Sequence, residues 1–132
     1  MKKKKIYKLK NGLKLVFYQD KTKHITLASL FVMFGGKNKK VLIDNKEVVI
    51  PNGMAHFMEH LLIEHNSLGN ALVEFKKRHT FSNGYTSNDT TEYLINSVVN
   101  FEKDLIDLIN IVNVSNFTEF DVEETKKAII KE

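Results

Sequence analysis

The chain has 132 residues, 42% of them hydrophobic and 27% charged, with a net charge of +4 and no cysteine. That is enough for one domain with a buried core, and it excludes disulfides, thiolate metal sites and cysteine nucleophiles. Among the 20 basic residues only Arg78 is an arginine, and a scattered lysine surface lacks the residue that reads bases and clamps phosphates best, so a nucleic-acid partner is not expected.

The opening MKKKKIYKLKNGLKL has the charge of a secretion signal but no apolar stretch, because Lys8, Lys10 and Lys14 interrupt it. The longest apolar run, Leu27 to Phe34, is far short of the roughly 20 residues that a membrane helix needs. No membrane partner is expected, and a cytoplasmic location is.

Asn11-Gly12 lies between two extended runs and predicts a hairpin. HITLASLFVMFGG predicts a third strand, ended by Gly35-Gly36. Being almost wholly apolar, it is expected at the centre of a sheet, covered on both faces. KVLIDNKEVVIPNG predicts a second hairpin turning at Asp44-Asn45, and Pro51 stops it. A helix follows over 54–65 and another over 68–78, with Ala71, Leu72 and Phe75 on one side. FSNGYTSNDTTEYLINSVV predicts two strands with a turn near Asn88-Asp89. Asn100 can cap the next helix, where Phe101, Leu105, Leu108, Ile109 and Val112 keep helical spacing. Thr118 and Asp121 form the start of a last helix, with Val122, Thr125, Ala128 and Ile129 as its apolar stripe. Hairpins dominate, so the expected fold class is α+β: an antiparallel sheet with helices packed on one face, residues 1–132 forming a single domain.

The chemistry concentrates in HFMEH. Residues four apart share a helix face, so His56 and His60 can present two imidazoles to one ion. Glu59 is offset enough to reach a water on that ion instead of the ion itself. Zinc brings the pKa of its water to about 7, where a carboxylate can take the proton, and H-x-x-E-H is the inverzincin signature. His65 lies around the back of the helix, and His24 and His79 have no visible partner, so these three are expected to be structural. A catalytic zinc site keeps three protein ligands, and here the third must offer oxygen or nitrogen. Glu132 falls on the stripe of the last helix, two turns after Thr125. It is either that ligand or a solvated terminal carboxylate.

PNGMAHFMEHLLIE, together with LKNGLKLVFYQD, SNGYTSNDTTEYL and NFTEFDVEETKKAIIKE in this order, resembles the N-terminal portion of the pitrilysin, insulinase and mitochondrial processing peptidase family of zinc metallopeptidases. The resemblance implies the processing-peptidase type of metallohydrolase fold and one zinc ion held by His56, His60 and Glu132. It implies Glu59 as general base, and a strand around Asn83, Gly84 and Thr86 that takes an extended peptide substrate by strand addition. It also implies a second domain or partner chain that closes over the substrate. The chain departs from the family's pattern at Thr125, where a second glutamate is usual, and at Gly84, where alanine is usual. The expected function is a zinc-dependent endopeptidase or its catalytic N-terminal fragment, hydrolysing little by itself. The alternative is a non-catalytic peptide-binding partner or truncated remnant of the same fold. S-ribosylhomocysteine lyase also uses H-x-x-E-H, but its cysteine ligand is missing here.

Overall fold

A computed structural model describes residues 2–113 and 116–132. Its centre is a three-stranded antiparallel sheet of β3 (Thr26–Val32), β7 (Thr91–Ser97) and β6 (Phe81–Thr86), in the order β3-β7-β6. Helices α1 (Met54–Glu64), α2 (Ala71–Lys77) and α3 (Phe101–Asn113) pack on one face of it, and α4 (Glu119–Ile129) packs against α1. Two hairpins stand apart, β1 (Lys2–Lys8) with β2 (Lys14–Asp20), and β4 (Lys40–Ile43) with β5 (Lys46–Val49). The expected α+β class, with an antiparallel sheet and helices on one face, is the observed one.

Local chemistry accounts for most of these elements. Asp44 and Asn45 both adopt positive φ, 50° and 60°, as the two central residues of a tight hairpin turn require, and Asp and Asn tolerate that region. Gly12, at φ 90°, closes the first hairpin, where Leu9 N donates to Leu13 O at 2.8 Å. Thr118 caps α4 with a reciprocal box: its hydroxyl accepts from Asp121 N at 3.2 Å, and Asp121 Oδ2 accepts from Thr118 N at 2.8 Å. Helix α2 starts later than the spacing predicts. Gly69 is left-handed at φ 82°, and Asn70 accepts from Val73 N at 3.2 Å, so the cap falls inside the apolar pattern.

Strand β7 alternates strictly, with Thr91, Tyr93, Ile95 and Ser97 buried. Its inner face meets Ile63 of α1, Ala71 and Phe75 of α2, and Leu108 and Ile111 of α3 in one core. Burial of Phe75 alone contributes on the order of 2–3 kcal/mol.

The expectation that β3 is central and doubly covered is wrong. β3 is an edge strand and β7 takes the centre. Ala28, Leu30 and Val32 face the core, while Leu27 and Phe31 are more than half exposed. Apolar composition on both faces marks a strand that can be covered on both; it does not place that strand in the sheet order, which long-range pairing decides. The stripe of α3 also differs. Ile109 is exposed, and Asp104 and Asp107 are buried beside Leu108. Arg78 draws both carboxylates inward, its Nε donating to Asp104 Oδ1 at 2.7 Å and its terminal nitrogen to Asp107 Oδ2 at 2.8 Å.

Candidate metal centre

Helix α1 begins after Pro51 and Gly53, the latter left-handed at φ 81°. One turn of helix separates His56 from His60, and their Nε2 atoms lie 3.1 Å apart with the rings at 78° to each other. Glu132, just beyond the end of α4, brings Oε2 to 3.4 Å from His56 Nε2 and Oε1 to 3.6 Å from His60 Nε2. A tetrahedral ion with bonds of about 2.1 Å holds neighbouring donor atoms about 3.4 Å apart. The two imidazole nitrogens and the carboxylate therefore already stand at the spacing of a zinc coordination edge. Among the described residues, these three form the one cluster of metal-type side chains. The donor set, two neutral imidazoles and a carboxylate with room for a fourth position, fits zinc.

What holds Glu132 there is the packing of α4 along α1. Thr125 is fully buried on the inner line of α4. At the opposite end of α4 from Glu132, His65 Nδ1 lies 3.0 Å from Asp121 Oδ1, tying the end of α1 to the start of α4. The Asp121 carboxyl is held below its usual range by hydrogen bonds from the Thr118 backbone and hydroxyl, with His65 adding to the effect. His65 stays out of the metal cluster, as the helical wheel predicts, and serves this tether instead. His24 and His79 are exposed and outside the cluster.

Glu59 faces the sheet. It is 7% exposed, and its Oε2 accepts from the Thr86 hydroxyl at 2.6 Å. Behind it, burial pushes the Tyr93 hydroxyl well above the usual phenol range, and the Glu59 charge pushes it further the same way. A methyl on Gly84 would sit 2.7 Å from Glu59 Oε1 and 2.5 Å from Ile63 Cδ1, so this glycine is what lets the carboxylate approach the strand. A groove opens over this arrangement, lined by His56, Glu59, Gly84, Tyr85, Thr86 and the β6–β7 turn. It runs beside β6, which is the other edge strand of the sheet. Asn83 does not line it; its side chain is exposed and bonds the adjacent Gly84 N at 3.0 Å.

Two features escaped the sequence reading. Thr86 contacts Glu59 directly, a cross-element pairing with no signature in spacing. Glu64 lies against the far side of His60, with Oε1 3.2 Å from Nδ1. The signal for Glu64 was present: it is one turn after His60.

Comparison with known proteins gives consistent relatives. The chain is 35% identical over 127 residues to the uncharacterized zinc protease YmfH of Bacillus subtilis (strain 168), covering 95% of this chain and 29% of that protein. It is 26% identical over 88 residues to a protein of Bacillus subtilis named as a zinc protease, AlbF, covering 67% of this chain and 20% of the relative. A crystal structure described as an M16-like peptidase, from Alicyclobacillus acidocaldarius, superposes with a TM-score of 0.87 at 24% identity, over 97% of this chain and 30% of the other. A protease from Helicobacter pylori superposes with a TM-score of 0.81 at 24% identity, over 99% of this chain and 30% of that one. No family model matches the chain. The chain thus spans 20–30% of the length of these proteins. Among the described residues no helix is long and apolar enough to cross a membrane.

Proposed function

Since the chain belongs to the pitrilysin-type, M16-like family of zinc proteases, we propose that it carries the zinc-binding and water-activating part of an endopeptidase. The observation that carries this reading is the triangle of 3.1, 3.4 and 3.6 Å between His56 Nε2, His60 Nε2 and the Glu132 carboxylate. His56, His60 and Glu132 would hold one zinc ion. When bound, zinc supplies Lewis acidity, acidifying a water and polarising a peptide carbonyl.

The chain's own residues do the rest. Glu59 takes the proton at Oε1, because Oε2 is engaged by Thr86. Thr86 keeps the carboxylate from rotating out of the groove. The free edge of β6 at Gly84 and Thr86 offers backbone groups to an extended peptide, which reads main chain more than side chains. Asn83, on the outer face of the same strand, contributes by holding the Gly84 backbone through its side-chain oxygen, 3.0 Å from Gly84 N. Residues 1–132 form one domain of a cytoplasmic peptidase, and a second domain or partner chain completes the enclosure around the substrate.

A second reading, a non-catalytic peptide-binding partner, draws support from Thr125. It stands where the resemblance implies a glutamate, and its buried hydroxyl has no hydrogen-bond partner among the described residues. Zinc titration against a competing chelator tests the first reading and peptide hydrolysis separates the two. One equivalent of zinc is expected, lost in Glu132→Ala and kept in Glu59→Gln. Absence of zinc binding by the intact chain, or undiminished binding by Glu132→Ala, overturns the zinc reading. Hydrolysis that appears when the chain is supplied with the complementary part of a family protease, and disappears in Glu59→Gln, favours the peptidase over the peptide-binding partner.

A further inference from the structure

We infer that Glu64 is a positioning residue that fixes the His60 imidazole in the tautomer whose Nε2 lone pair points at His56 and Glu132. The inference rests on the zinc reading above for its purpose, but not for its geometry.

A carboxylate can only accept a hydrogen bond. With Glu64 Oε1 3.2 Å from His60 Nδ1, the ring proton of the neutral imidazole is drawn to Nδ1. Nε2 is then the bare nitrogen. That nitrogen is the one 3.1 Å from His56 Nε2 and 3.6 Å from Glu132 Oε1. Free imidazole has no such commitment and leaves part of its population with the proton on Nε2, where it would block a metal. Metal-binding histidines characteristically donate their other ring N–H to a carboxylate or carbonyl, which fixes the ring and raises its basicity.

Location favours the same role. Glu64 is the last residue of α1, one turn beyond His60, and its side chain is only 33% exposed. Its second oxygen lies 4.0 Å from His65 Nε2, the ring that reaches Asp121 at the start of α4. The carboxylate thus sits between the metal-facing histidine and the α1–α4 tether. His56 has no equivalent partner among the described residues. The pair is therefore asymmetric: His60 is the histidine whose tautomer is set in advance.

Nitrogen-15 spectra of the histidine rings in the intact, metal-free protein test this at about pH 8, above the usual histidine range. His60 is expected with its proton on Nδ1 and an unprotonated Nε2, and Glu64→Ala is expected to shift it toward the opposite tautomer. The thermal unfolding of Glu64→Ala, measured alongside, should stay close to the parent's. Zinc affinity of Glu64→Ala, measured with a chelator, should fall about 10- to 100-fold. A His60 ring that carries its proton on Nε2 in the parent protein overturns the inference, as does a tautomer or a zinc affinity that Glu64→Ala leaves unmoved. A parent protein with the expected tautomer that binds no zinc overturns the zinc reading and leaves the Glu64–His60 pairing standing.

Discussion

Glu59 and Thr86, one on helix α1 and the other at the end of strand β6, are joined by a 2.6 Å hydrogen bond from the hydroxyl to Oε2. The bond spans 27 residues of sequence and fixes a carboxylate that is 7% exposed. Its energetic consequence is lopsided. A buried charged acceptor deprived of its donor costs more than the bond contributes.

Thr86→Val keeps the shape and removes the donor. We expect a loss of about 1–3 kcal/mol in urea unfolding. In a Glu59→Gln background the same substitution should cost measurably less, because a neutral amide is cheaper to leave unpaired. Equal losses in both backgrounds would show that the two side chains are not coupled.

Thr125 presents the opposite case. It is fully buried on α4, and its hydroxyl finds no partner among the described residues. Valine has nearly the same shape without the oxygen. Thr125→Val should therefore stabilise the chain by about 1 kcal/mol, read as a higher urea midpoint at unchanged slope. Destabilisation would mean that the hydroxyl is satisfied in solution.

Asp104 anchors α3 to the sheet. Its carboxylate is fully buried and receives Ser97 Oγ at 2.6 Å, Thr80 Oγ1 at 2.5 Å and Arg78 Nε at 2.7 Å. Burial raises its pKa, but the hydrogen bonds from Ser97, Thr80 and Arg78, with the arginine charge, outweigh burial and leave it lowered. A carboxylate whose pKa is lower in the folded than in the unfolded chain stabilises above the unfolded value, about 3.9, and loses that contribution as pH falls through the folded value. Stability should thus be full near neutral pH and decline below about pH 4. Arg78→Ala leaves Asp104 buried without its cation and Asp107 with only Lys103 Nζ, 3.4 Å away, and should cost about 3–5 kcal/mol at neutral pH. It should also flatten the acid dependence, which denaturation at a series of pH values would read.

Local chemistry was legible wherever one residue decides the backbone. Asp44-Asn45, Pro51 and Thr118 with Asp121 each sit where their conformational preferences place them, and the one-turn spacing of His56 and His60 put both rings on one face. What depends on distant partners was not. The β3 pattern is the same for an edge strand awaiting cover and for a central one. In α3, polar Asp104 and Asp107 read as the solvent face until Arg78, 26 residues before Asp104 and 29 before Asp107, is brought against them. Spacing alone made Glu132 legible only as a carboxylate on an apolar line; the family resemblance named it as a ligand, and the packing of α4 on α1 is what brings it to the histidines.

Two glycines separate backbone from side-chain constraint. A methyl on Gly35 would lie 2.5 Å from Ser87 O and 2.6 Å from Thr90 N, both main-chain atoms of the β6–β7 turn. That turn is also bound by Gly36 N to Ser87 O at 2.9 Å and Lys37 N to Asn88 O at 3.0 Å, so it has little room to retreat. A methyl on Gly84 meets side chains only, Ile63 and Glu59; Thr86 holds the Glu59 carboxylate, but the nearest atom, Ile63 Cδ1, is the far end of a side chain that can change rotamer. Gly35→Ala should therefore cost about 3 kcal/mol, at the upper end of overpacking, and Gly84→Ala about 1 kcal/mol. Trimming Ile63 to valine removes the nearest of the three atoms facing Gly84, so Gly84→Ala should cost less in that background than in the parent. No neighbouring side chain can be trimmed to relieve Gly35→Ala, because it is backbone that the methyl strikes. Equal costs for the two alanines, measured by urea unfolding, would refute the distinction.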